Sequence, residues 1–134
     1  MRRISALVFT LALAGCGGST EPTPSPTGTD VILELGQAAR LNGTNITVSL
    51  VSVEDSRCQP DMECVWEGNA KIALDLSEAG GPEITGELNT HPTYPHALTF
   101  RYVRIELTGL DPLPLATRPV VISRAHLHWS YLPD

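Results

Sequence analysis

The sequence predicts an all-β domain, either a single small antiparallel β-sandwich of the immunoglobulin-like kind or a small barrel. Short apolar runs alternate with polar residues, as expected of strands that bury one face. Turn-forming residues such as Asn42-Gly43 and Gly80-Gly81-Pro82 separate these runs. A sustained period of about 3.6 residues, which would indicate a helix, does not occur after residue 15.

The strands follow from this pattern. They are predicted at residues 31–35, 38–41, 45–54, 69–77, 83–90, 98–108 and 119–131, with 83–90 at a sheet edge. In the third strand Leu50 and earlier apolar residues share one face, whereas Val51 and Val53 fall on the other. Either both faces are buried or a bulge near Leu50 moves the later residues across. Prolines make residues 91–96 and 110–119 irregular.

The first 15 residues predict a signal peptide. Arg2 and Arg3 precede an apolar stretch, residues 4–14, that is too short to span a bilayer as a helix. It ends in Leu13-Ala14-Gly15-Cys16, which resembles the bacterial lipobox. That resemblance implies cleavage before Cys16 and acylation of its thiol and amino groups by fatty acids such as palmitate. Gly17, where an aspartate would favour the inner membrane, favours the outer membrane; the alternative is an ordinary secretory signal with an unrelated cysteine.

Residues 16–30 predict an extended tether, and residues 31–134 a single folded domain. The segment 17–29 contains three alternating prolines and no large apolar residue, and it reaches at most about 40 Å. Cleavage removes two of the nine basic residues and none of the 15 acidic ones, which leaves a formal net charge of −8. Such a charge keeps a tethered domain soluble and argues against nucleic acid as a partner.

Cys58 and Cys64 are predicted to form a disulfide at the centre of the domain. Pro60 and polar neighbours suit a tight turn between them. A metal site would need two more ligands, and a redox pair would more often have two intervening residues; both alternatives stay open. If lipid modifies Cys16, the remaining two cysteines pair in the oxidising envelope. We expect Trp66 to pack beneath this loop.

The surrounding segment carries a second resemblance. Asp55-Ser56-Arg57-Cys58 followed by Cys64-Val65-Trp66-Glu67-Gly68-Asn69-Ala70 is similar to a pattern, D-S-R-C-P then C-V-W-A-G-x-A, in a family of small uncharacterised bacterial lipoproteins and secreted proteins. Two positions differ, because Pro60 comes one residue late and Glu67 replaces alanine. The resemblance supports the disulfide and the β fold and implies no particular activity.

Four histidines raise the possibility of a metal site. His126 and His128 alternate with an apolar residue, so on a strand both point to the same side. They could bind copper or zinc if a third ligand, from His91 or His96, approached them. The alternative is that they share a solvent-exposed face with Arg124.

The sequence gives only weak indications of calcium binding or catalysis. The loop around Cys58 and Cys64 is acidic but lacks a calcium-binding pattern, and its acids are expected to be solvated: Glu54, Asp55, Asp61, Glu63 and Glu67. No nucleophile elbow or phosphate-binding glycine loop occurs. The sequence therefore predicts a membrane-anchored envelope lipoprotein with a non-catalytic β domain and no cofactor. Its partner would be an unknown envelope protein or ligand, contacted through an exposed patch near Tyr94. A copper- or zinc-binding lipoprotein is the alternative, and an enzyme with an unrecognised site is the third hypothesis.

Overall fold

The computed structural model describes residues 29–117 and 122–133. The predicted signal peptide, Cys16 and nearly all of the predicted tether lie outside these residues. The described part of the chain is all-β, as predicted, without a helix. Its strands are β1 (Asp30–Glu34), β2 (Ala38–Arg40), β3 (Ile46–Asp55), β4 (Ala70–Glu78), β5 (Ile84–Asn89), β6 (Ala97–Phe100), β7 (Val103–Asp111) and β8 (Arg124–Tyr131).

The strands form two four-stranded antiparallel sheets packed face to face. One sheet has the order β2-β3-β4-β5 and the other β1-β8-β7-β6. The chain crosses between the sheets twice, from β1 to β2 and from β5 to β6. Because the two sheets do not join into a closed ring, the sandwich prediction is confirmed and the barrel alternative is not. The predicted edge strand near residues 83–90 is β5, which lies at an edge of its sheet.

Apolar side chains from both sheets meet in one core. On β4 the alternation is regular, with Ala70, Ile72, Leu74 and Leu76 all buried, as their spacing predicts. The other sheet supplies its inward residues from β1, β6, β7 and β8: Val31, Leu33, Phe100, Val103, Ile105, Leu107, Leu110, Ala125, Leu127 and Trp129. Burial of this surface is the main stabilising contribution to the sandwich.

A β-bulge in β3 resolves the ambiguity of that strand. The pairing with β4 shifts between Leu50 and Ser52, so that Val51 is left out of register. Val51 is 43% exposed, whereas Val53 returns to the core. Of the two alternatives that the sequence leaves open, the bulge near Leu50 is the one found, and it returns Val53 to the core side of β3.

One predicted strand is in fact two. Residues 98–108 contain a hairpin, because β6 ends at Phe100 and β7 begins at Val103. Arg101 and Tyr102 form the turn, with Arg101 at φ 57°. Neither residue is a usual choice for such a turn, so the apolar run seemed continuous. In addition, β7 continues to Asp111, into the region predicted as a loop.

The two ends of the sandwich carry different segments. The loop end consists of the disulfide loop (residues 56–69), residues 90–96 and residues 112–117. The tether end holds the turns at 42–45, 79–83 and 101–102. The chain enters β1 near the tether end, where Trp129 N–H donates to the Thr29 carbonyl at 2.9 Å. Trp129 is five residue steps along β8, about 17 Å, from Arg124, where β8 begins at the other end.

Candidate functional site at the loop end

The disulfide loop is closed at its base by a covalent bond and by backbone hydrogen bonds. The sulfur atoms of Cys58 and Cys64 lie at disulfide-bonding distance, as predicted, with 5.9 Å between the Cα atoms. Ser56 N–H and its hydroxyl both donate to the Asn69 carbonyl, at 2.8 and 2.7 Å. Cys58 N–H donates to the Glu67 carbonyl at 2.8 Å. These bonds continue the β3–β4 ladder into the loop and hold it in one conformation.

Arg57 ties the loop to the opposite sheet. Its guanidinium donates to both oxygens of Asp55, at 2.9 and 2.6 Å. The same group donates to the carbonyls of Leu110 and Pro112, at 2.7 and 2.8 Å. Because the planar guanidinium can satisfy a carboxylate and two carbonyls at once, it fixes the loop against the end of β7.

An apolar surface, the loop patch, covers the outside of this braced loop. It is formed by three exposed side chains, Met62, Val65 and Trp66, which line one shallow depression of the loop. The prediction that Trp66 packs beneath the loop is wrong, because Trp66 is 53% exposed. Arg57 occupies the space between the loop and β7, and the indole lies outside instead.

Three aromatic rings extend from the loop patch across the loop end. The centroids of Trp66 and His91 lie 5.9 Å apart, and those of His91 and Tyr94 lie 5.8 Å apart. His91 is held on both sides, since Nδ1 accepts from Thr93 N–H at 3.2 Å and Nε2 lies 2.9 Å from Glu67 Oε1. Acceptance at Nδ1 places the ring proton on Nε2, where it donates to the carboxylate.

A cavity of about 650 Å³, the sheet groove, lies beside these rings on the outer face of β3, β4 and β5. On its floor the Lys71 ammonium lies 3.3 Å from Glu54 and 3.2 Å from Glu87. The hydrogen bonds that the Lys71 ammonium donates to Glu87 and then to Glu54 raise the pKa of Lys71, so the ammonium stays charged at neutral pH. Tyr94 and Pro95 form one wall of the groove.

The acidic side chains of this end do not converge on one point. Asp55 pairs with Arg57, Glu54 with Lys71, and Glu67 with His91. Asp61 accepts a hydrogen bond from the backbone of Ala116 at 3.2 Å, and Glu63 is exposed. A calcium site needs several oxygens directed at a common centre. The acids of the described part of the chain form no such centre.

The histidine pair lies elsewhere, on the outer face of β8. His126 Nε2 is 2.6 Å from Asp111 Oδ2, and His128 Nδ1 is 2.8 Å from Asp30 Oδ1. Each ring therefore has its own carboxylate, and His91 lies on a loop with a different partner. Within residues 29–117 and 122–133, no three His, Cys, Asp or Glu side chains are arranged to hold a metal ion.

The sequence did not reveal the sheet groove. The alternation along β4 puts Lys71 on the outer face of that strand, and by sequence Glu54 belongs to the group of acids around the disulfide loop. The signal that brings them together is the pairing of β3 with β4, which sets Glu54 opposite Lys71. The third residue, Glu87, comes from the edge strand, whose register cannot be derived from its weak alternation.

Comparison of the chain with protein-family models, with curated proteins and with solved structures gives no match. In the described part of the chain, no helix has the length and apolar character needed to cross a bilayer. The function must therefore be inferred from the chemistry of the loop end itself.

Proposed function

We propose that the protein is an outer-membrane lipoprotein whose β-sandwich binds another envelope protein through the loop patch, without catalysing a reaction. The observation that carries this proposal is the position of the loop patch. It lies at the end of the sandwich away from the point where the chain from Cys16 enters β1. A domain attached by lipid at one end presents its other end to the surrounding envelope.

The lipid anchor is supported by the segment Leu13–Cys16 and by the polar chain that follows it. The three alternating prolines between Cys16 and Thr29, and the lack of large apolar residues there, favour a spacer of at most about 40 Å. Several acyl chains on one cysteine hold a protein on a membrane far more firmly than a single chain does. The tether then gives the loop patch freedom to reach a partner.

The composition and rigidity of the loop patch suit protein recognition. Tryptophan and methionine are enriched at protein interfaces, and tryptophan is frequent among the residues that dominate binding energy. The disulfide and Arg57 already fix the backbone beneath Val65 and Trp66. A preformed surface loses little conformational entropy on binding, so more of the contact energy is retained as affinity.

The charges around the loop patch define the partner further. Asp61, Glu63 and Glu67 lie on the same loop as Trp66, and all three are exposed. A partner with an apolar centre and a rim of lysine or arginine complements this surface and is steered towards it. An acidic partner is repelled.

A non-catalytic role is consistent with the exposure of the groove carboxylates. Glu54 and Glu87 have side chains that are 71% and 59% exposed. Acid–base catalysts generally require a titratable group withdrawn from solvent. The copper or zinc alternative gains no support, because His126 and His128 are each paired with a separate carboxylate.

Site-specific photocrosslinking in intact cells tests the proposal. A photoreactive amino acid at position 65 of the full lipoprotein is expected to capture one main protein. The matched control is position 84, where Ile84 is also exposed but lies at the tether end. With the purified partner, Trp66→Ala should weaken binding at least tenfold, or about 1.4 kcal/mol, as expected for a dominant contact.

Tyr131→Ala removes a similarly exposed aromatic ring at the tether end and should leave the affinity unchanged. Identical crosslinked products from positions 65 and 84 would contradict the proposal. So would a partner that binds the Trp66→Ala protein as tightly as the unmodified protein.

A further inference from the structure

We infer that the sheet groove is a binding site for an uncharged oligosaccharide. This activity goes beyond the protein contact at the loop patch and does not depend on it. The groove and the patch share one end of the sandwich but use different residues. The inference comes from the floor of the groove, its wall and its net charge.

The floor offers hydrogen-bond acceptors and a donor side by side. Glu54 on β3, Lys71 on β4 and Glu87 on β5 form a row across three neighbouring strands. A sugar hydroxyl both donates and accepts, so a series of hydroxyls needs both kinds of partner. Carboxylate oxygens accept from two hydroxyls, and the ammonium between them donates to a third. Both carboxylates are largely exposed and keep acceptor sites that Lys71 does not use.

The wall supplies a flat apolar surface. The Tyr94 ring is 45% exposed and lines the groove together with Pro95. A pyranose ring has one face of C–H groups, which packs against an aromatic ring while its hydroxyls bind polar groups at the edge. Tyrosine suits this role because its body is apolar and its hydroxyl is polar.

The position of this wall is fixed by a buried amide. Asn89 is 8% exposed, and both its backbone N–H and its side-chain amide donate to the Pro95 carbonyl, at 2.9 and 3.0 Å. The Asn89 amide oxygen accepts from Asn69 Nδ2 at 2.9 Å, and the Asn69 oxygen accepts from His91 N–H at 3.1 Å. The wall is thus held in place before any ligand binds, which lowers the entropy lost on binding.

The charge of the groove selects the class of sugar. Lys71 offsets one of the two floor carboxylates, and Asp55 is already paired with Arg57. One negative charge remains, so sugars that carry carboxylate or phosphate groups are repelled. A cationic ligand would have to compete with Lys71 for the same carboxylates. Neutral and N-acetylated sugars meet neither obstacle.

The size and shape of the groove agree with a short oligosaccharide. Its volume of about 650 Å³ lies within the range of roughly 300–1,000 Å³ that is usual for small-ligand sites. The groove is open along the sheet face, so a chain of sugar rings can extend beyond it. A wholly apolar ligand would displace the water that solvates the ammonium and the exposed carboxylates and would offer no hydrogen bonds in return.

Isothermal calorimetry on the full lipoprotein in detergent tests the site. The probes are oligomers of N-acetylglucosamine, of glucose and of galacturonic acid. At least one of the two uncharged oligomers should bind, and the galacturonic acid oligomer should bind at least tenfold more weakly. Absence of binding by both uncharged oligomers would overturn the inference.

Variants locate the binding in the groove. Tyr94→Ala and Lys71→Met should each weaken binding of the uncharged oligomer at least fivefold, whereas Tyr94→Phe keeps the ring and most of the affinity. Tyr131→Ala, a similarly exposed tyrosine at the other end, should have no effect. Trp66→Ala should reduce only partner binding, so failure of either proposal can be recognised separately. Oligosaccharide binding that survives Tyr94→Ala would place the sugar elsewhere and contradict the site.

Discussion

Gly68 shows how a single residue determines the path of the disulfide loop. It has φ +76°, in the region that side chains disfavour, and a Cβ atom built on it would lie 2.1 Å from the Ser56 carbonyl oxygen. That carbonyl belongs to the first residue of the loop, directly after β3. Only glycine lets the two ends of the loop approach closely enough for the Ser56–Asn69 hydrogen bonds to form.

Gly68→Ala is therefore expected to destabilise the domain more than a positive φ alone would. The left-handed conformation costs an alanine about 1–2 kcal/mol, and here the contact with backbone adds to it. Each kcal/mol lowers the melting temperature of a domain this size by about 4–8 °C. Gly36→Ala is the matched control, because Gly36 has φ +85° with no atom within 4 Å of a Cβ. Equal losses of melting temperature in the two variants would contradict the role of the close approach.

The residues of the loop segment divide into two groups by what they contact. Asp55, Arg57 and Gly68 each make a contact that fixes the loop, described above. Val65 and Trp66 are exposed and contribute little to the packing beneath them. A large apolar side chain held in solvent on a rigid loop is better explained by binding than by stability.

At the scale of elements, the disulfide acts together with the β3–β4 pair rather than alone. The bond closes a seven-residue ring, for which the chain-entropy model gives about 2.4 kcal/mol of stabilisation. The ring lies within the loop that connects β3 to β4, between Asp55 and Ala70, so its loss should also loosen the loop patch. Arg57 and the ladder bonds remain and keep the strands paired.

Replacing both cysteines, Cys58→Ser with Cys64→Ser, should lower the melting temperature by about 10 °C or more. The double change avoids a single reactive thiol. Calorimetry of the unmodified protein in a strong reductant provides the control and should give the same lower transition. A melting temperature unchanged by both treatments would mean that the two sulfurs are not bonded in solution.

The sequence predicts the strands best where the pattern within one strand is enough to determine which of its residues are buried. The period of two on β4 predicts which of its residues are buried, and the break in the alternation of β3 at Val51 leaves a bulge as one of two explanations. The turn at Arg101-Tyr102 escaped prediction because its residues carry no turn signal and the flanking runs are apolar. The exposure of Trp66 and the assembly of the sheet groove depend on contacts between segments far apart in sequence. Such contacts are set by register and packing, which local pattern does not determine.

At the scale of the whole molecule, the two ends of the sandwich carry different features. The disulfide loop, the three rings of Trp66, His91 and Tyr94, and the sheet groove occupy one end, and the chain from Cys16 enters β1 near the other. Several acidic side chains lie at the loop end, among them Glu54, Asp61, Glu63 and Glu67. On an anionic membrane such as the proposed anchor implies, this distribution favours an orientation in which the loop end faces away from the bilayer.

The anchor and the binding surface should therefore be separable by mutation. Cys16→Ser removes the site of acylation and is expected to release most of the protein from the membrane fraction, because the tether itself has no apolar surface. A partner that is itself embedded in the membrane could retain part of the protein. The variant Cys16→Ser with Trp66→Ala removes both attachments and should be fully soluble after fractionation, whereas Trp66→Ala alone should stay with the membrane. Retention of the double variant on the membrane would contradict lipid anchoring at Cys16, since neither the acyl chains nor the loop patch would remain to hold it.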